Sequence, residues 1–198
     1  MRDLILKIVI GFFFTNALFS QVGIGTTNPT AELEIETTNT GIPALELNPQ
    51  SAPTGTTVGQ IAVIGDKLFM YDATRTKWLS VETTALQFGR NGSTDNRSLR
   101  FGGNVENNNT GAMMPFNGTI VAVTSRATAG LATKQFQIRV RNGTTNVATS
   151  NFNLVANEYT STTDNLDFSA GDYITVFAQA TGAAVTSPTV VLWVKWRE

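Results

Sequence analysis

From Lys134 to Arg141 the chain alternates: Phe136, Ile138 and Val140 stand between Gln135, Gln137, Arg139 and Arg141. A period of two sends one set of side chains to a core and the other to water, the pattern of a half-buried strand. Arg141-Asn142-Gly143-Thr144 follows directly. An Asn-Gly pair accepts the positive φ of a type I′ turn, so this is the strongest hairpin signal in the chain. Arg139 and Arg141 are then expected on the wet face, in solvent or paired across a subunit interface.

Further strands are expected at 99–101, 118–126, 147–154, 173–180 and 189–196. The last is apolar on both faces except at Lys195, which predicts a central strand buried on both sides. Stretches of helical period are few, while Thr and Val suit strands and Asn and Gly suit the turns between them. The pattern predicts an all-β fold in which residues 85–198 form a jelly-roll β-sandwich head. Phe101, Phe116, Phe136, Phe152, Phe168, Phe177, Trp193 and Trp196 are expected to fill its core, at roughly 2–3 kcal/mol each when fully buried.

Two smaller segments precede the head. In residues 58–84, Ile61, Val63, Leu68, Met70, Trp78, Leu79 and Val81 are strand-like, with turn signals at Gly65-Asp66-Lys67 and over 71–77. This predicts a small antiparallel meander of two or three strands, too small to stand alone, that packs across chains or on the head. Residues 21–57 carry four prolines and only short alternating pieces, Leu33/Ile35 among Glu32, Glu34 and Glu36, and Leu45/Leu47 around Glu46. They read as an extended stalk segment that is stable only when paired with something else. Residues 1–20 read as a signal peptide: Arg2 and Lys7 lead, Ile8 to Phe14 is apolar but for Gly11, and polar sequence starts at Gln21. The apolar run is shorter than a membrane span, so a secreted protein, extracellular or at the cell surface, with no span after leader removal, is expected.

Composition narrows the chemistry. There is no cysteine and no histidine, which removes disulfides, thiol nucleophiles, and the commonest general base and zinc ligand. With 14 basic and 15 acidic residues, net charge −1, the chain lacks the basic surplus that nucleic-acid binding requires. No paired carboxylates in an apolar setting are evident, so neither enzymatic activity nor a cofactor is expected.

Three stretches carry a family resemblance. Val22-Gly23-Ile24-Gly25-Thr26-Thr27-Asn28-Pro29, followed by Leu33, resembles the VGIGT opening found behind the leader of many secreted Bacteroidetes proteins and is similar to phage tail-fibre repeats. Residues 59–81 resemble a tail-fibre-like meander ending in Tyr71-Asp72…Lys77-Trp78…Ser80. Leu166-Asp167-Phe168-Ser169-Ala170-Gly171-Asp172-Tyr173-Ile174-Thr175-Val176 resembles the strand entry of the trimeric jelly rolls related to complement and tumour necrosis factor. The resemblance implies a homotrimer whose loops contact a receptor or glycan, and it carries no catalytic residue. The collagen Gly-x-y stalk of some such proteins is missing here, so a stalk must be β-structured.

Other constellations are less specific. Gly23-Ile24-Gly25 lacks the third glycine and the following helix of a nucleotide loop and reads as turn or stalk. Asp164, Asp167 and Asp172, with Glu158 nearby, are the densest acidic stretch; a calcium site is one reading, solvated turn residues the other. Asn107-Asn108-Asn109-Thr110-Gly111 could meet sugar hydroxyls or be a plain surface loop. The Asn-x-Ser/Thr triplets at Asn91, Asn96, Asn108, Asn117 and Asn142 fit turns. The expectation is a non-enzymatic, fibre-like or adhesin-like homotrimer. Alternatives are a filament subunit assembled by strand pairing of the N-terminal segment, and a monomeric carbohydrate-binding sandwich.

Overall fold

The computed structural model describes residues 22–24, 27, 31, 33–38, 40–105, 111–130 and 133–198. The leader over 1–20, Gln21, and Asn107 to Thr110 lie outside the described residues. The fold is all-β, with several antiparallel sheets and no helix among the described residues. It divides between Asn48 and Pro49 into two compact units.

In the first unit, β1 (Val22–Ile24) and β2 (Leu33–Ile35) pair in parallel, Val22 opposite Leu33 and Ile24 opposite Ile35. The Glu36 N–H donates to the Ile24 carbonyl at 2.8 Å, extending the ladder by one bond. Ile24 and Leu33 remain exposed. The similar piece at Leu45–Leu47 forms no strand.

The second unit begins with the meander: β3 (Ile61–Ile64), β4 (Lys67–Asp72) and β5 (Lys77–Ser80), antiparallel in chain order. Gly65, at φ +61°, and Asp66 make the first turn. One face buries Ala62, Ile64, Phe69 and Trp78, with Tyr71 edge-on to Trp78 at 5.4 Å. Residues 49–57 cover this small core. Gln50 bridges to Ile64, Trp78 Nε1 donates to the Pro53 carbonyl at 2.8 Å, and Gly55 lies flat on the Tyr71 ring. A Cβ at Gly55 would come within 1.9 Å of that ring.

The head follows, in chain order: β6 (Thr84–Gly89), β7 (Ser93–Thr94), β8 (Arg97–Ser98), β9 (Arg100–Phe101), β10 (Asn104–Val105), β11 (Ala112–Met113) and β12 (Gly118–Arg126). Then come β13 (Lys134–Asn142), β14 (Thr145–Leu154), β15 (Glu158–Ser161), β16 (Leu166–Phe168), β17 (Tyr173–Gly182), β18 (Val185–Thr186) and β19 (Thr189–Trp196). One sheet runs β10-β9-β6-β19-β12-β15, with β16 also on β12; the other runs β11-β17-β13-β14, with β8 also on β17. One core cluster draws on both sheets: Phe88, Ile120, Leu192 and Phe168 from the first, Phe136, Ile138, Phe152 and Val176 from the second.

Several expectations are corrected. β19 is central, between β6 and β12, but only Val190, Leu192 and Val194 are buried; Trp193 on the other face is 37% exposed. Phe116 is also exposed and Phe177 only half-buried, so aliphatic side chains carry more of the core than the aromatic count implied. The 13–14 hairpin forms, but Asn142 stays in the strand opposite Thr145. The two loop residues are Gly143 and Thr144, with the positive φ on Gly143 first, where a type II′ turn has glycine. Thr84–Gly89, with buried Leu86 and Phe88 alternating with exposed Ala85 and Gln87, is a full strand of the main sheet that lay unread at the boundary drawn before residue 85.

Candidate interaction surface

The turn between β4 and β5 fastens the meander to the head. Asp72 caps the turn, its carboxylate accepting the Arg75 N–H at 3.0 Å and Arg75 Nη1 at 2.6 Å. Arg75 then reaches into the head: Nε donates to the Asp164 carbonyl at 2.7 Å, and Nη2 to the Val121 and Thr162 carbonyls at 2.8 Å each. The Val121 carbonyl is available because β12 bulges between Ile120 and Ala122, where its pairing with β19 shifts. A bulge leaves one residue out of the ladder, and a guanidinium fork meets the freed acceptor. Beside it, Lys77 Nζ pairs with both Asp167 oxygens at 2.7 and 2.9 Å. Burial works against ionised Asp167, but hydrogen bonds from Lys77 and Thr119 and the charge of Arg197 outweigh it, holding its carboxyl below the usual carboxylate range. Burial likewise opposes ionised Asp72, and its bonds from Arg75 prevail to lower it.

These contacts decide the aspartate cluster. Asp167 is spent on Lys77 and Thr119. Asp172 closes its own turn, accepting from the Ser169 N–H at 2.8 Å and from Asn142 Nδ2 at 3.0 Å. Glu158 pairs with Arg126 at 3.6 Å. No group of three or more acidic side chains among the described residues converges on a cation position. Asp164 contributes its backbone to Arg75, and its Oδ2 is buried without a hydrogen bond.

The two strand arginines separate. β14 bulges at Val147 while β13 keeps a one-to-one register with β17 from Phe136 to Arg141, so Arg141 stays on the same face as Arg139 but is buried there. It donates to Tyr173 Oη, Asn146 Oδ1 and the Thr144 carbonyl, tying down the hairpin it precedes. Arg139 stays on the open face, its guanidinium 3.9 Å above the Phe177 ring. Around it, Gln135 faces Asn153 and Gln137 faces Asn151 across the strand pair, an amide-rich surface suited to polyol contacts.

The main sheet's outer face differs in kind. Ala85, Trp193 and Ala122 form one row, and Gln87, Val191, Thr124 and Thr160 the next. Neither row holds a charge. Trp193 stands at the centre, its Nε1 3.4 Å from Thr124 Oγ1. Charge appears only at the margins: Lys195 at one end, and Arg100 and the Arg126–Glu158 pair at the other. An open groove of about 490 Å³, lined by Ala85, Gln87, Arg100, Phe101 and Thr189, runs along one side. An uncharged centre with an aromatic anchor and a charged rim is the anatomy of a protein contact. The cue in the sequence was β19 itself, whose second apolar face was read as core.

Comparison with protein-family models finds no match, and comparison with curated proteins finds no match either.

Proposed function

We propose that the chain is an exported, non-enzymatic, fibre-like or adhesin-like protein of the tail-fibre type, a homotrimer with a jelly-roll head. The observation that carries the reading is the uncharged outer face centred on Trp193. A face that meets copies of itself about a symmetry axis brings like residues together, so it must be free of charge at its centre. The strand order supports the jelly roll: β6-β19-β12-β15 opposes β11-β17-β13-β14 over one core, and the chain crosses repeatedly between them. The amide-rich opposite face with Arg139 and Phe177 is the surface left for a glycan or cell-surface ligand.

Light scattering on the eluting mature protein tests the trimer. Three chain masses are expected for the wild type, and one for Trp193→Glu with an unchanged far-ultraviolet spectrum. A monomeric wild type overturns the proposal. The two-stranded β1–β2 pair favours a second reading, in which residues 21–50 add to copies to build a filament. Deleting them abolishes polymers under that reading and leaves trimeric heads under the first.

A further inference from the structure

We infer that the meander is a second self-association surface, a collar that closes against the meanders of two further copies of this chain; the inference rests on the trimer proposed above. Antiparallel sheets that show one face to water put polar residues there. This one does not. Opposite its small core it carries Ile61, Met70 and Leu79 in one row and Val63, Leu68 and Val81 in the next. No polar or charged residue interrupts either row. Ile61 is 53% exposed, Met70 and Val81 41% each, and Leu68 40%. The core of the meander lies on the other face, so these four exposed side chains lie outside it, while Leu79, where β5 meets the end of β19, is buried.

Three features identify the occupant as the same chain. First, the meander face is continuous with the Trp193 face. β5 abuts the end of β19, where Leu79 bridges to Arg197 and Ser80 Oγ accepts the Trp196 N–H at 2.9 Å. Met70, Leu79 and Lys195, the residue two beyond Trp193, line one hollow of about 290 Å³. A copy seated on one face therefore extends onto the other. Second, the area is small. Two rows across three strands cover on the order of 200 Å² at ordinary strand spacings, against about 800 Å² per partner in a stable complex. Such a patch does not hold a separate partner, but it lengthens a contact already made by the head. Third, the two rows themselves carry no charge, which suits a symmetric contact, in which every residue near the axis meets its own copies.

The cysteine-free chain allows a direct test on the full mature protein. Met70→Cys, Trp193→Cys and Val155→Cys are each treated with a short bismaleimide and run on denaturing gels. Val155 is exposed in the β14–β15 connection and is the control. Bands of twice the chain mass from Met70→Cys and Trp193→Cys but not from Val155→Cys are expected. Linking at Trp193→Cys without linking at Met70→Cys overturns the collar and leaves the trimer standing. No linking at either, with a monomeric mass, overturns both. Leu68→Glu supplies an independent readout: the trimer is expected to dissociate at higher dilution than wild type, and unchanged dissociation overturns the collar.

Discussion

Replacing Arg75 by alanine tests whether the meander is fastened to the head as described. The side chain makes four hydrogen bonds, three of them to carbonyls of the head at 2.7–2.8 Å and one to Asp72 at 2.6 Å. It is only 12% accessible. Bonds from a charged donor contribute about 1.5–3 kcal/mol each, and water regains part of that once the guanidinium is gone. The net loss is about 3–5 kcal/mol, the range for breaking a buried charged contact by removing one partner. For a domain of this size each kcal/mol moves the melting temperature by about 2–4 °C, so a fall on the order of 6–20 °C is expected. Arg75→Lys should recover a minority of it, because an ammonium cannot span three carbonyls in a fork. The assay is a calorimetric melt at fixed protein concentration, paired with limited trypsin digestion. Early cleavage within residues 60–83 is expected in the alanine variant and not in the wild type. An Arg75→Ala protein that melts within about 2 °C of wild type and resists trypsin equally would refute the staple.

Acid should weaken the same junction. Asp72 and Asp167 have folded pKa values below their unfolded ones. The stability they confer is therefore complete above the unfolded value of about 3.9 and is lost as pH falls through the folded values. The melting temperature should hold through neutral pH and fall below about pH 4. Asp167→Asn should melt lower at pH 7 but lose less on acidification, and a slope equal to wild type counts against the pairing with Lys77. Lys134 provides a contrast elsewhere in the head: its fully buried ammonium has Asp95 as its ion-pair partner. Asp95→Ala should lower the melting temperature more than Lys134→Met, since the first strands a buried charge and the second removes it; the reverse order in paired melts would exclude that account.

The alternation at Lys134–Asn142, the glycine turns and the central last strand were legible in the sequence because they depend on a period of two and on local φ. Alternation persists as long as the ladder is regular. Two departures matter: one is a side chain buried by partners outside its own strand, and the other is a bulge, set by how two strands pair, which neither strand's own residues encode. Arg141 keeps its face and is buried there by Tyr173, Asn146 and the Thr144 carbonyl. The shift between Ile120 and Ala122 freed the carbonyl that Arg75 finds 46 residues away in the chain. The Asp72…Lys77-Trp78 pattern could be seen as a motif, but not that its lysine answers Asp167 across 90 residues. Nor could a strand apolar on both faces reveal whether its second face meets core or open surface. That depends on what the rest of the chain stacks over it, and here nothing among the described residues covers Trp193 more than partly. Sequence by itself determined the strands, the turns and the lack of thiol and imidazole chemistry. Tertiary structure decided which aspartates were already spent, and which apolar side chains were left facing outward.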